Sequence, residues 1–364
     1  MNIKEITNYL EELAPLAYAE DFDNVGLLIG NSNTEVTGIL VSLDTLEITV
    51  DEAIEKKCNL IVSFHPIVFK GLKKFNGSSY VERVVIKAIQ NNIAIYAMHT
   101  ALDNSVQGVS AKMCAIIGLR KNKVLIPQSG NIKKLTTYVP LKNAKSLRLA
   151  LFNAGAGNIG NYDQCSFNVE GVGTYRGNEA SNPTIGEKGT IHLEPETKIS
   201  IIFEKHKEKR ILKALFEQHP YEEVAYEVFT LDNLHQNIGM GMLGELENPM
   251  DTLEFLQKIK KSFHLKALRH SALSKKKIQR IAVLGGSGSF AIGAAKKANA
   301  DMYLTADLKY HDFYQAENEI ILVDIGHYES EQFTKNLLVD YLTKKITNFA
   351  IILSENNTNP INYL

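Results

Sequence analysis

Several kinds of feature are scarce or missing in this chain of 364 residues. It contains no tryptophan, and its three cysteines (Cys58, Cys114 and Cys165) are scattered, with none paired at the spacing of a metal or redox motif. This pattern excludes a disulfide framework and is typical of a reducing cytoplasm. No apolar run approaches the ~18 residues that a membrane-spanning helix needs. The start of the chain predicts an amphipathic helix rather than a secretory signal.

An excess of charge of one sign is also missing. The 40 basic and 41 acidic residues nearly cancel and leave a net charge of -1. A protein that wraps nucleic acid or coats an anionic membrane uses a strong positive excess. We therefore expect neither a nucleic acid nor a membrane as a partner.

The apolar residues occur as short continuous runs separated by helical patterns. In the N-terminal part these runs lie at 39–43, 60–64 and 93–98. Continuous apolar strands that alternate with helices predict a parallel sheet covered on both faces. The alternation stops after Arg120 and returns from about residue 250.

The intervening segment has a different order of elements. Its predicted strands lie at 133–140, 162–173, 197–204 and 224–231. Helices follow the first and the third strand, which gives the βαββαβ order of a ferredoxin-like domain. The prediction is therefore an α/β fold in which residues 1–125 and 246–364 form one domain of two related halves. Residues 126–245 are predicted to form an inserted α+β ferredoxin-like domain.

The two α/β halves share a weak internal repeat. Each half reaches a buried strand and then a histidine followed four residues later by an acid. These pairs are His99 with Asp103 and His327 with Glu331, while His65 follows another predicted strand. Ligands bind at the carboxyl ends of strands in open α/β sheets. Imidazoles and carboxylates there predict a site for Zn, Mn, Fe or Co, in which a carboxylate could bridge two ions and a shared water could act as nucleophile.

Each of these residues also has a plain structural interpretation. Asp103 and Glu331 could cap the N–H groups at a helix start, and a single histidine at a strand end, such as His65, is commonly hydrogen-bonded within the fold. The repeat favours the metal site, because two unrelated caps need no histidine four residues earlier. His219 is interpreted as part of a turn before Pro220.

A glycine-rich turn follows another predicted strand, at Gly285, Gly286, Ser287 and Gly288. Such a turn can present backbone N–H groups to a phosphate. It lacks the Lys-Ser/Thr pair of a P-loop and the full dinucleotide fingerprint. Phosphate binding and a plain tight turn are both open interpretations.

Six segments, taken in order, resemble the signatures of the Nif-three-like family, whose members are often labelled GTP cyclohydrolase 1 type 2 homologues. They are EDFDNVGLLIG (20–30), SFHPIVF (63–69), HTALDN (99–104), GGSG (285–288), TADLKYHDF (305–313) and GHYESE (326–331). The long form of that family carries an inserted ferredoxin-like domain with an HPYEE segment, matched here by His219–Glu223. The resemblance implies a homohexamer, a toroid with dinuclear metal sites that face an internal cavity.

The resemblance also implies the metal ligands, which are His65, Asp103, His327 and Glu331, with Glu331 bridging both ions. One departure matters, because the family usually has two adjacent histidines before the proline and Phe64 replaces the first of them here. One position would be held by His65, Asp103 and Glu331. The other would keep His327 and Glu331, completed by water or by His99.

Two further residues bear on the site. Phe22 stands where the family usually has tryptophan, and His311 is a candidate for supporting the ligands or for transferring protons. These features predict a cytoplasmic, hydrolase-like protein with two divalent ions per chain, zinc first, that acts on a purine nucleotide or phosphoester. The alternatives are a non-catalytic metal-binding protein or metallochaperone, and a regulatory scaffold built on the inserted domain.

Overall fold

The computed structural model describes residues 1–364, which separate into two compact units. Unit 1 consists of Met1–Pro127 together with Gln236–Leu364, and unit 2 consists of Gln128–His235. Unit 1 is therefore discontinuous in sequence, because unit 2 is inserted between its two parts.

Helices and strands are numbered along the chain. The first segment contains α1 (Ile3–Leu13), β1 (Gly26–Ile29), β2 (Ile39–Ser42), α2 (Glu47–Glu55), β3 (Leu60–Ser63), α3 (Tyr80–Gln90), β4 (Ala94–Ala97), α4 (His99–Asp103), α5 (Val109–Ile117) and β5 (Arg120–Gln128). The middle segment contains β6 (Ile132–Pro140), α6 (Ala144–Asn153), β7 (Phe167–Tyr175), β8 (His192–Glu204), α7 (Glu208–Gln218) and β9 (Tyr226–Leu231). The last segment contains β10 (His235–Asp251), α8 (Thr252–Ser262), β11 (Arg269–His270), β12 (Lys277–Ser287), α9 (Ile292–Lys297), β13 (Met302–Ala306), β14 (Ile321–Asp324), α10 (His327–Glu331), α11 (Thr334–Lys345) and β15 (Ile351–Leu353).

Helix α1 is the amphipathic helix that the start of the chain predicts. It begins with a capping box, in which the Asn2 side chain accepts from the Glu5 backbone N–H and the Glu5 side chain accepts from the Asn2 N–H. Its apolar residues, among them Ile3, Ile6 and Leu10, are fully buried. None of the helices in the chain combines the length and the apolar character that crossing a membrane requires.

The first sheet of unit 1 has the strand order β1-β4-β3-β2-β15. Four of its strands run parallel, and β1 is antiparallel to β4. Successive residues face opposite sides, so that Leu60 and Val62 of β3 pack with α1 and α11, whereas Ile61 packs with α2 and α3. This arrangement confirms the predicted parallel sheet with helices on both faces.

The second sheet of unit 1 has the order β11-β14-β13-β12-β10-β5. Strands β12, β13 and β14 are parallel, and β10 and β11 join them antiparallel. Helices α5 and α8 pack on one face and α9 on the other. The β2-β3-β4 strands of the first sheet and the β12-β13-β14 strands of the second correspond to the two halves of the sequence repeat.

The end of the inserted segment differs from the predicted boundary at residue 245. The compact unit ends at His235, and β10 continues from there to Asp251 as one strand. Residues 242–245 pair with β12 in the second sheet of unit 1. Their main-chain hydrogen bonds therefore place them in unit 1 rather than in the inserted segment.

Unit 2 has the predicted βαββαβ order and a ferredoxin-like sheet. Its strand order is β7-β8-β6-β9, and every neighbouring pair is antiparallel. Helices α6 and α7 cover one face, where they pack against Leu135 and Val139 of β6. Since side chains alternate along a strand, Tyr138 of β6 lies on the face that carries no helix.

Candidate metal centre

The register of the first sheet brings three polar residues together at the carboxyl ends of its parallel strands. The last residues of β2, β3 and β4 pair side by side. Asp44, His65 and His99 each follow the last residue of their strand by two positions. The carboxyl ends of parallel strands lie on the same side of the sheet. These side chains therefore lie where an open α/β sheet leaves a crevice.

The two His-acid pairs lie in short helices of their own. His99 begins α4 and Asp103 ends it, and α10 runs in the same way from His327 to Glu331. Residues four apart share one face of a helix, so the spacing directs the two side chains of each pair to the same side. The sequence placed these pairs between a strand and a longer helix and did not predict the short helices.

The imidazoles of two histidines converge on one carboxylate oxygen. Oε2 of Glu331 lies 3.2 Å from Nε2 of His65 and 3.2 Å from Nε2 of His327. One ligand atom from each of the three residues lies within 4.8 Å of the others. Glu331 is only 3% exposed, and its Oε2 receives no hydrogen bond of acceptable geometry. A buried carboxylate oxygen of this kind fits a cation that lies between it and the two imidazoles.

An aspartate orients each of these histidines. Nδ1 of His65 lies 2.8 Å from Oδ1 of Asp44, and Nδ1 of His327 lies 2.7 Å from Oδ2 of Asp307. An Nδ1–H that donates to a carboxylate leaves Nε2 as the ligand atom and makes it more basic. Sequence reasoning missed both aspartates, although each follows a buried strand.

His99 is held in the same manner but lies outside the three-residue group. Its Nδ1 lies 2.8 Å from Asp23, and the Thr100 backbone N–H and hydroxyl donate to the second oxygen of Asp23. Its ring centroid lies 5.3 Å from that of His65 and 5.6 Å from that of Phe64. A role of His99 as a supplementary metal ligand stays a prediction.

The charges of the three-residue group depend on one another. Burial alone would lower the pKa of both histidines, but the neighbouring carboxylates raise it. Asp44 and Glu331 raise the pKa of His65 to about 10, and Asp307 and Glu331 raise that of His327 to about 11. Burial opposes ionisation of Glu331, yet the two histidines hold its pKa at about 2. A cation bound between these groups would displace the proton from each Nε2, so metal binding and protonation of the two histidines compete.

Asp103 lies near this group without belonging to it. Its pKa is raised well above the usual range, first by burial and then by the Glu331 carboxylate, while His65 and His327 act in the opposite direction. These effects show that Asp103 shares the electrostatic environment of the three residues. Its assignment as a metal ligand stays a prediction, and so does the division of ligands between two positions, because the structure brings His65 and His327 to the same oxygen.

The glycine-rich segment at the end of β12 packs directly against Glu331. Gly286 has φ +67°, and a Cβ there would lie 2.3 Å from Oε1 of Glu331. A Cβ at Gly288 would lie 2.0 Å from the Thr305 hydroxyl. The Gly286 N–H already donates to the Ser330 hydroxyl. The close approach to Glu331 accounts for glycine at position 286, and phosphate binding by this segment stays a prediction.

His311, Phe22 and Phe64 differ in their exposure and in their neighbours. His311 is exposed, and its ring contacts those of Tyr310 and Tyr314 rather than any residue of the group. Phe22 is 66% exposed, and its ring centroid lies 6.5 Å from that of Phe69. Phe64 is fully buried and fills space beside His65 at a centroid distance of 4.9 Å.

Comparisons with known proteins agree over the whole length of the chain. The model of the family described as Duf34/NIF3 (NGG1p interacting factor 3) matches residues 1–360. A protein of Bacillus subtilis (strain 168) named GTP cyclohydrolase 1 type 2 homolog is 35% identical over 374 residues, which cover 100% of this chain and 99% of that protein. A protein of Staphylococcus aureus (strain COL) with the same name is 34% identical over 369 residues, with 100% of both chains covered.

A solved structure supports the same relationship. The structure of a Bacillus cereus protein related to NIF3 superposes with a TM-score of 0.88 at 35% sequence identity. The superposition covers 100% of this chain and 99% of that one.

Proposed function

Since this chain belongs to the Duf34/NIF3 family, we propose that it is a hydrolase-like protein that binds two divalent metal ions in unit 1. The observation that carries the proposal is the buried Oε2 of Glu331, 3.2 Å from one nitrogen of His65 and one of His327. That oxygen accepts no hydrogen bond, so it keeps acceptor capacity for a cation.

The residues of this chain supply the binding and the orientation. Asp44 and Asp307 fix the imidazoles of His65 and His327 through their Nδ1 atoms, so that both Nε2 atoms face Glu331. When bound, divalent ions would supply Lewis-acid activation of a water molecule or of a substrate oxygen. Zinc is the first choice, because imidazole and carboxylate suit it well, and Mn, Fe and Co are accommodated by the same donors.

We propose that Glu331 bridges the two positions. One would be held by His65, Asp103 and Glu331. The other would be held by His327 and Glu331 and completed by water or by His99. Phe64 offers no donor atom, so the second position has fewer protein ligands than the first.

The substrate is proposed as a purine nucleotide or another phosphoester. The support is the name of the relatives, GTP cyclohydrolase 1 type 2 homolog, together with the glycine-rich segment that borders Glu331. A homohexamer is proposed as the assembly on the strength of the same family relationship.

The test is metal-dependent turnover. Purified protein would be reconstituted separately with Zn, Mn, Fe and Co and supplied with GTP, ATP and a phosphodiester. We expect turnover by the native protein only when metal is present, and none by Glu331→Gln. Glu329→Gln is the matched control, because Glu329 lies in the same helix and bonds Asn359 instead of the histidines.

A non-catalytic metal carrier is the second candidate. One observation favours it, namely that His311, the predicted acid/base residue, is exposed and its ring contacts those of Tyr310 and Tyr314. A carrier would pass its metal to an apo-protein acceptor and turn over none of the panel. That result would contradict the hydrolase proposal and leave the metal centre in place.

A further inference from the structure

Unit 2 contains a cavity of about 700 Å³ that is lined only by its own residues. Cavities of ~300–1,000 Å³ are typical of small-molecule sites. Three aromatic rings contribute to the walls, those of Tyr138, Tyr175 and Tyr221. The cavity lies in the inserted unit and shares no residue with the metal centre.

The HPYEE segment builds one wall of this cavity. His219 is buried, and its Nε2 donates to the backbone carbonyl of Tyr138 at 2.9 Å. Its Nδ1 accepts from the backbone N–H of Tyr221 at 3.2 Å. Burial lowers the pKa of His219, which favours the neutral ring with one donor and one acceptor that these contacts require. His219 thus positions Tyr221 and is not itself part of the cavity lining.

The lining of the cavity includes a buried carboxylate. Glu196 is 7% exposed, and its Oε1 accepts from the Tyr221 hydroxyl at 2.7 Å. The other carboxylate oxygen, Oε2, lies beside Gly173. Gly173 gives this oxygen room, since a Cβ at that position would lie 2.2 Å away. A buried carboxylate with one neutral donor leaves acceptor capacity that a ligand can satisfy.

The charged residues that line the cavity indicate which charge its ligand carries. Four glutamates line it, Glu170, Glu196, Glu222 and Glu223, against the cations of Arg176 and Lys198. The ammonium of Lys198 lies 5.8 Å from the centre of the Tyr138 ring, on the open face of the sheet. The lining therefore favours a ligand that is rich in N–H donors over an anion.

We propose that this cavity binds a small planar ligand that presents a pair of adjacent N–H donors to Glu196 between tyrosine rings. A carboxylate accepts two parallel N–H bonds with specific geometry, and planar π-systems and cations are attracted to aromatic rings. Two sources share this chemistry, a guanidinium compound and the donor edge of a guanine or pterin ring. The proposal does not rest on the metal-dependent function of unit 1.

Isothermal titration calorimetry on the full-length, metal-loaded protein tests the proposal. The probes are agmatine, guanosine and a simple pterin, and the matched compounds that lack the donor pair are butylamine, inosine and lumazine. We expect at least one probe to bind, and its matched compound to bind at least ~10-fold more weakly, because a charged hydrogen bond is lost. The probe that binds identifies the source. Absence of binding by all three probes up to about 1 mM, or equal binding of the matched compound, would overturn the proposal.

Substitutions test whether the Glu196 carboxylate binds the probe. Glu196→Gln should weaken the bound probe roughly 10- to 100-fold, and Tyr221→Phe should weaken it less, because the ring is kept. Glu217→Gln is the control, since it makes the same charge change at an exposed position on α7 of the same unit. Thermal unfolding of each variant confirms folding. Binding of native strength in Glu196→Gln would refute the site, whereas unchanged binding in Glu331→Gln would show that it is independent of the metal centre.

Discussion

The two halves of unit 1 present a histidine and an acid at the same four-residue spacing, but they use the pair differently. In α10, Nε2 of His327 lies 3.2 Å from Glu331 of the same helix. In α4, Nδ1 of His99 instead bonds Asp23 and its ring packs against Phe64, and no hydrogen bond or ion pair joins it to Asp103. A shared spacing therefore fixes which face of the helix the side chains occupy, while the surroundings decide whether they meet.

Different residues lie beside the two histidines. His327 has the glycine-rich segment next to it, and Gly286 leaves room for the Glu331 carboxylate to reach both imidazoles. His99 has two phenylalanine rings within about 6.2 Å, those of Phe64 and Phe69. The C-terminal half thus provides the centre of the site, and the N-terminal half provides His65 and a more apolar border.

The largest expected effect comes from the acids of the two short helices. Glu331→Gln should reduce metal loading at both positions by at least ~100-fold in affinity, since changes to outer partners alone cost ~10–100-fold. Asp103→Asn should weaken only one position. Elemental analysis with a competing chelator measures both. Equal losses in the two variants would remove the distinction between the halves.

Next in size is the effect of Phe64. We expect the native protein to lose one ion to a mild chelator before the other, with affinities ~10–100-fold apart. Phe64→His should restore a ligand and bring the two affinities together. Phe69→His is the control, because it adds an imidazole near His99 at a position that the family motif does not use. Equal affinities in the native protein would show that another residue already completes the site.

A smaller effect is expected from the aspartates that hold the imidazoles. Asp44→Asn and Asp307→Asn should each lower metal affinity by ~10-fold, because the amide still occupies the site but no longer fixes the Nδ1–H as a carboxylate does. Asp23→Asn should affect only the weaker position, and only through His99. If Asp23→Asn leaves both affinities unchanged, His99 is not a ligand.

The sequence contained most of the fold and the centre of the site, for identifiable reasons. Continuous apolar runs predict buried parallel strands, and the ends of such strands predict where His65 and His327 lie. It could not show that both imidazoles meet the same oxygen of Glu331, because that depends on how the two sheets meet. The supporting aspartates were missed because an acid after a strand is common, and Asp44 and Asp307 become meaningful only once their 2.8 and 2.7 Å contacts are seen.

The smallest effect on the metal centre is expected from removal of unit 2. Strands β5 and β10 are neighbours in the second sheet, so a short Gly/Ser linker can join Pro127 to Gln236 in place of residues 128–235. The cut keeps residues 236–245, whose pairing with β12 belongs to unit 1. No residue of the candidate centre lies in the removed segment, so metal stoichiometry and affinity should equal those of the native chain.

Assembly, in contrast, is expected to change in the excised protein, because the inserted unit is proposed as a contributor to the oligomer. Light scattering coupled to size exclusion measures the mass, and elemental analysis of the same fractions measures the metal. A second version that removes 128–245 is the matched comparison, since it also takes part of β10 and should unfold the second sheet. Loss of metal from the shorter excision, with its secondary structure intact by circular dichroism, would show that the centre depends on the inserted unit and that the two regions do not act as separate domains.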